Sequence, residues 1–186
     1  MIETSDFKKG TKLLIDGKPW VITDFQHVKP GKGNQFTRTK LKNMITGQNL
    51  EMTIKSGEKF EIPDVSGTSA TFLYRDDQGF HFMNQSSFEQ VTLFPDDLGD
   101  AKNYLIENLE CNLLFFNGKP IGCDIPNMVV LTVVATDPGF KGNTATNTFK
   151  PATTETGYVA QVPLHISVGD KLKIDTRTGE YLSKAQ

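Results

Sequence analysis

No run of apolar residues in this 186-residue chain approaches the length that crosses a bilayer, so no membrane-spanning segment is expected. Its first residues, Met1-Ile2-Glu3-Thr4-Ser5-Asp6, lack the apolar stretch of a secretory signal. Together these lead to the expectation of a cytoplasmic protein. Cysteine is scarce. Only Cys111 and Cys123 occur, each in apolar company: Leu113 and Phe115 near the first, Ile121 and Ile125 near the second. In a reducing compartment such residues are expected as buried free thiols rather than as a disulfide. Histidine is sparse too. His27, His81 and His165 are scattered, and neither cysteine has a partner at metal-ligand spacing, so no metal is expected. Gly31-Lys32-Gly33 lacks the spacing and the following Ser or Thr of a nucleotide-binding loop. Asp76-Asp77 and Asp96-Asp97 suit a turn and a helix start. His165 lies in an alternating stretch and suits a packed or surface position. No catalytic residue is expected, and no dissociable cofactor.

What is present is an ordinary globular composition, 37% hydrophobic and 23% charged, sufficient for a core. Thirteen Phe against one Trp suggests several modest cores rather than one large one. The net charge of −2 alone argues against a nucleic-acid partner, but the distribution does not. Residues 1–63 carry 11 Lys and Arg against 7 Asp and Glu; residues 64–127 carry 3 against 10; residues 128–186 carry 6 against 5. A basic head, an acidic middle and a near-neutral tail suggest that one region meets a polyanion.

The basic head centres on Lys29-Pro30-Gly31-Lys32-Gly33. Trp20 to Val28 upstream is rich in β-formers, and Phe36 to Met44 downstream alternates again. Pro30 cannot donate to a ladder, and glycines at 31 and 33 permit backbone angles closed to other residues. The segment reads as a hairpin tip with Lys32 near its apex. Nine residues per arm, at about 3.3 Å each, make a projection roughly 30 Å long. From Phe25 to Leu50 there are five basic residues, Lys29, Lys32, Arg38, Lys40 and Lys42, and no acid. Arg38, Lys40 and Lys42 share strand parity and line one face; Thr37, Thr39 and Leu41 face the other way, toward a core. One reading is a solvated edge that discourages sheet-on-sheet pairing. The other is a polyanion contact with a lysine delivered at its end, and the uninterrupted stripe favours it.

Along the rest of the chain, strand-like runs alternate with turns. Asp16-Gly17-Lys18-Pro19 joins Lys12–Ile15 to Trp20–Ile22, a strong hairpin signal that Asn117-Gly118-Lys119-Pro120 repeats. Leu50–Ile54, Ala70–Tyr74, Phe80–Met83, Leu113–Phe116, Met128–Ala135, Tyr158–Ile166 and Lys171–Ile174 read as strands. Pro95-Asp96-Asp97 opens a helix, with acids suited to its dipole and Leu98, Ala101, Tyr104 and Leu105 at helical spacing. Residues 137–156 are polar and read as a long loop, functional or mobile and too hydrophilic for a core. The expected fold is all-β: three small barrels at 1–63, 64–126 and 127–186, with one short helix in the second.

These residues resemble a known family. His27-Val28-Lys29-Pro30-Gly31-Lys32-Gly33 with Arg38-Thr39-Lys40-Leu41 and Thr46-Gly47 looks like the lysine-bearing loop of bacterial translation elongation factor P. Thr136-Asp137-Pro138-Gly139-Phe140-Lys141-Gly142-Asn143-Thr144-Ala145 resembles the third-domain loop of that family. Lys150-Pro151-Ala152-Thr153, Val162-Pro163-Leu164 and Asp175-Thr176-Arg177-Thr178-Gly179-Glu180-Tyr181 are similar to its C-terminal signature. The likeness covers essentially the whole chain. It departs at Asn143, where the family usually has Asp, and at Ala160, where a branched aliphatic is common.

The resemblance implies an SH3-like barrel of the KOW type followed by two OB-folds, set in an L like a tRNA. It implies a monomer that binds the ribosome between the P and E sites and contacts rRNA and P-site peptidyl-tRNA. Such a factor relieves stalling at consecutive prolines. Lys32 is then the residue extended by a lysine-modifying enzyme, and Lys29, Pro30, Gly31 and Gly33 form its tip. A lysine there, with His81-Phe82-Met83-Asn84 and Phe88-Glu89-Gln90 in the middle domain, implies a β-lysyl adduct. Arg38, Lys40, Lys42, Gly142, Asn143 and Thr144 become the RNA-contacting residues. Two other readings stay open. An OB-fold protein binding single-stranded nucleic acid needs aromatics among basic residues, which the acidic middle opposes. An enzyme with Lys32 as nucleophile needs a desolvated pocket, which an exposed tip does not offer.

Overall fold

The structure, a computed structural model, describes residues 1–139 and 148–186. Two compact units divide it, residues 1–68 with 113–122 and residues 69–112 with 123–186. Every sheet is antiparallel where its register is defined.

Six strands open the chain: β1 Ile2–Glu3, β2 Lys12–Ile15, β3 Lys18–Val28, β4 Phe36–Asn43, β5 Asn49–Lys55 and β6 Lys59–Phe60. β2 to β5 form a four-stranded meander, and β1 pairs with β6. The turn between β2 and β3 has both central residues at positive φ, Asp16 at 52° and Gly17 at 73°. Asn117 and Gly118 repeat this at 50° and 81°, so the two Xaa-Gly-Lys-Pro turns share one chemistry. Burial along β4 alternates at every residue from Thr37 to Asn43. Its inner side chains join the face that covers Phe7, Leu13, Trp20, Ile22, Leu41 and Ile54.

Five strands follow: β7 Val65–Asp76, β8 Gly79–Asn84, β9 Gln90–Leu93, β10 Glu110–Phe116 and β11 Lys119–Asp124, in the sheet order β11-β10-β7-β8-β9. His81 is buried in β8. Its Nε2 lies 2.7 Å from the Asp76 carboxylate and its Nδ1 2.9 Å from the Thr92 hydroxyl, with the Tyr74 ring against it. The hydrogen bond from His81 holds the Asp76 carboxyl below the usual carboxylate range. This histidine is therefore a packed residue with both nitrogens occupied. The helix expected from Pro95 is much shorter than its apolar spacing indicates. The α-helical turn covers Pro95–Leu98 and passes into a 3₁₀ turn over Gly99–Asn103. Gly99, at φ 55° and ψ −133°, ends the α-helical geometry. Leu98, Tyr104 and Leu105 are buried all the same, so the spacing marked the inner face without marking a continuous helix.

The last sheet contains β12 Met128–Thr136, β13 Phe149–Thr154, β14 Val159–Pro163, β15 Lys171–Asp175 and β16 Tyr181–Ala185, in the order β14-β13-β12-β15-β16. Here the sequence reading needs correction. The polar stretch 137–156 contains β13, and Lys150, Ala152 and Thr154 on it are buried. The lysine and the threonine are tolerated inside because their polar ends are partnered: Lys150 Nζ donates to the Asp137 carbonyl at 2.6 Å, and Thr154 Oγ1 donates to the Tyr158 carbonyl at 2.9 Å. Ala160 lies opposite Ala152, both fully buried, so two small residues meet where a branched one would crowd. The strand expected over 158–166 stops at Pro163; a turn carries the chain to buried Ile166 and leaves His165 on the surface.

Tyr104, from the middle of the sequence, is buried within this last core, beside Val129, Leu131, Ala160 and Leu172. Its ring packs on Tyr158 at 5.2 Å, the Tyr158 hydroxyl donates to the Gly179 carbonyl at 2.6 Å, and Thr156 donates to the Asn103 carbonyl at 2.6 Å. Burial pushes the Tyr104 hydroxyl up to about 12.

Candidate nucleic-acid interface

β3 and β4 form the hairpin that the alternation indicated. Its arms are unequal, 11 and 8 residues: Lys18 and Pro19 precede the first pair, Trp20 with Asn43, and a bulge after Ile22 adds one further residue to β3. Beyond it Asp24 pairs with Lys40, Gln26 with Arg38, His27 with Thr37 and Val28 with Phe36. The ladder ends there, and residues 29–35 make the tip. His27 Nδ1 and Thr37 Oγ1, 2.9 Å apart, hold the two arms together just below it, and the Ser56 amide donates to the Gln35 carbonyl at 3.1 Å.

At the tip Lys29, Gly31, Lys32 and Gly33 are exposed and Pro30 is half-buried. The two glycines differ. Gly33 sits at φ 113°, whereas Gly31 has an ordinary backbone and open space around it. Gly33→Ala is therefore expected to strain the tip by about 1–2 kcal/mol, and Gly31→Ala to leave stability unchanged. Chemical denaturation of the two variants compares them directly. Equal midpoints would show that the tip relaxes freely.

Arg38, Lys40 and Lys42 all project outward from β4. The Arg38 guanidinium stands 5.9 Å from the centre of the Phe36 ring, a cation–π spacing. The stripe is less purely basic than the chain order suggests. Lys40 is flanked by Asp24 on β3 and by Glu51 on β5, whereas Arg38 lies between Gln26 and Thr53, and Lys42 between Val21 and Asn49. Asp24 also has Lys9 at 3.9 Å. Both acids lie one residue outside the acid-free window 25–50, so only the strand register reveals them. Gly142, Asn143 and Thr144, expected to contact RNA, lie outside the described residues.

This surface can present a primary amine at the end of an arm and oppose phosphates along one face. Comparison with known proteins gives it a lineage. The elongation factor P KOW-like domain matches residues 3–60, the elongation factor P OB domain residues 65–123, and the elongation factor P C-terminal domain residues 129–184. The elongation factor P of Bdellovibrio bacteriovorus is 61% identical over 184 residues, which covers 99% of this chain and 98% of that one. The chain belongs to the elongation factor P family. The elongation factor P of Symbiobacterium thermophilum is 50% identical over the full length of both chains. Among solved structures, a eukaryotic translation initiation factor 5A from Methanococcus jannaschii aligns with a TM-score of 0.52 at 20% identity, over 67% of this chain and 90% of that one. That likeness concerns the fold. The protein is thus an all-β translation elongation factor with a KOW-like domain and OB domains, as elongation factor P has.

Proposed function

We propose that this member of the elongation factor P family relieves ribosomes stalled at consecutive prolines by presenting Lys32 to the P-site peptidyl-tRNA. The exposed, glycine-flanked Lys32 at the end of the β3–β4 arm carries this reading. The factor binds between the P and E sites, with Arg38, Lys40 and Lys42 opposing rRNA and tRNA phosphates. The third-domain residues Gly142, Asn143 and Thr144 make a further RNA contact. A lysine-modifying enzyme acylates the Lys32 amine, with a β-lysyl group as the adduct. The factor performs no bond chemistry of its own. Proline is a rigid, poor nucleophile, and holding the peptidyl-tRNA in an attacking geometry lowers the barrier by positioning. Domains at 1–63, 64–126 and 127–186 divide this work into reaching, spacing and anchoring.

The acidic middle, with 3 basic against 10 acidic residues over 64–127, weighs against a general binder of single strands. Two measurements test the proposal. Intact mass of the natively expressed protein is expected to exceed the sequence mass by one β-lysyl group, mapped to Lys32. Sedimentation is expected to carry the factor down with ribosomes, while single-stranded oligonucleotides bind weakly. Tight oligonucleotide binding without ribosome binding would overturn it.

A further inference from the structure

Three turns in the chain are built to one plan. Each starts at an Asn or Asp whose side-chain oxygen accepts backbone N–H groups just ahead of it: Asn43 from Ile45 and Thr46, Asn84 from Ser86 and Ser87, Asp175 from Arg177. The carbonyl of that first residue accepts the N–H four residues on, from Gly47, Phe88 and Gly179 in turn. Its own N–H donates to the carbonyl five residues on, at Gln48, Glu89 and Glu180. A hydroxyl closes each turn, Thr46, Ser87 and Thr178 accepting the N–H of Gln48, Glu89 and Glu180. The fifth residue is left-handed in all three: Gly47 at φ 75°, Gly179 at 79° and Phe88 at 59°. At Gly47 a Cβ would find its nearest listed neighbour 4.0 Å away, so glycine answers the backbone angle there and not a lack of room.

Phe88 departs from this pattern at a cost to the fold. Among the described residues, the other non-glycines at positive φ are Asp16, Asn108 and Asn117, kinds that tolerate the left-handed region. A phenylalanine does not, and packing returns little to it, because Phe88 is 74% exposed. The turn that carries it is braced. Gln85 donates its backbone N–H to the Ser69 carbonyl at 3.0 Å and its side-chain amide to Thr71 Oγ1 at 3.1 Å, which ties the turn to β7. An aromatic ring is thus held in water by a preformed turn, at a position where two sister turns use glycine. Such a ring brings large contact area to an interface and loses little freedom on docking.

The surroundings indicate what meets it. Glu89 follows the ring, and residues 85–90 contain no base. Beside the turn, a cavity of about 290 Å³ shares Gln85 and Ser69 and is lined further by Ile125 and Pro126 with the acids Glu110 and Asp124, again without a base. Three carboxylates around an aromatic oppose nucleic-acid phosphates and attract lysine and arginine. We propose that Phe88 anchors a protein-docking surface: its ring seats in an apolar pocket of a partner protein, and Glu89, Glu110 and Asp124 oppose a rim rich in lysine and arginine. The inference rests on the reading of a ribosome-bound factor, so the partner is a protein of the ribosome. The basic β4 stripe meets RNA, and the acidic Phe88 turn meets protein.

The test uses the full-length protein and purified ribosomes. Phe88→Gly is expected to keep a denaturation midpoint at or above that of the wild type, because it relieves the backbone, and to lose roughly 30-fold in ribosome affinity by sedimentation. Phe88→Tyr keeps the ring and is expected to bind as the wild type does. With the photo-crosslinker p-benzoyl-phenylalanine in place of Phe88, irradiation of the ribosome complex is expected to join the factor to a ribosomal protein, at a peptide that mass spectrometry shows to carry Lys or Arg beside apolar residues. A lower midpoint in Phe88→Gly would show that the ring serves the fold and would overturn the proposal. So would unchanged affinity of Phe88→Gly for ribosomes that bind the wild type, weak binding by Phe88→Tyr, or crosslinking to rRNA or to nothing. Failure of the wild type itself to sediment with ribosomes would instead overturn the reading of a ribosome-bound factor, and this inference with it.

Discussion

Lys32→Arg is expected to abolish relief of stalling at three consecutive prolines while leaving the fold and most ribosome affinity intact. The substitution keeps the positive charge and approximate length. It removes the primary amine, because a guanidinium is planar, always protonated and no acyl acceptor. Lys32→Ala removes charge and amine together and is expected to fail equally. Neither change disturbs packing, because Lys32 is exposed and the ladder closes at Val28 and Phe36. A positioning group lost from a reacting centre costs on the order of 100-fold in rate. The assay is a reporter with and without a Pro-Pro-Pro insert, in cells lacking their own factor. Synthesis of the insert-free reporter should stay normal with both variants. Full rescue by Lys32→Arg would mean that a simple positive charge at the tip suffices.

The second large effect concerns the β4 stripe. Replacing Arg38, Lys40 and Lys42 together by alanine is expected to weaken ribosome binding and flatten its salt dependence. Each phosphate contact contributes about 0.9 to the slope of log affinity against log salt, so the triple variant should lose up to about 2.7. The single variants should not be equal. Lys40 faces Asp24 and Glu51 across the ladder, so its field is already partly neutralised, whereas Arg38 and Lys42 have no acid opposite them. Lys40→Ala should therefore cause the smallest loss of the three. Binding titrations at several salt concentrations measure both quantities. An unchanged slope in the triple variant would mean that the stripe is a solvated edge with no phosphate contact.

Much of the architecture is legible in the sequence because its signals are local. Asp16-Gly17 and Asn117-Gly118 can hardly be anything but tight turns, and the alternation from Thr37 to Asn43 assigns the inner and outer faces of β4 correctly. What was not legible depends on hydrogen-bond partners, backbone angles and register that composition and spacing do not reveal. β13 looks like loop because Lys150 and Thr154 are polar, and nothing local shows that the Asp137 and Tyr158 carbonyls receive them. Leu98, Tyr104 and Leu105 have helical spacing, yet Gly99 turns the backbone out of the helix and the same residues are buried anyway. The site shows the same division. Lys32 at a glycine-flanked apex is a local feature. The pairing of Lys40 with Asp24 and Glu51 is a matter of register, which a bulge after Ile22 shifts by one residue.

Tyr104 has a consequence for how the molecule comes apart. Its side chain fills a place in the last core although it precedes that sheet's first strand by more than twenty residues, and Asn103 and Gly179 tie the same spot by hydrogen bonds to Thr156 and Tyr158. A fragment beginning at Asn127 would carry an empty socket of aromatic size, a defect of about 3–5 kcal/mol. The residues that protect the backbone amides of β12 and β15 from hydrogen exchange therefore include some that lie before the sheet begins. Opening of the 99–105 segment and opening of that sheet should be events of one cooperative unit, with amides in both exchanging at a shared free energy.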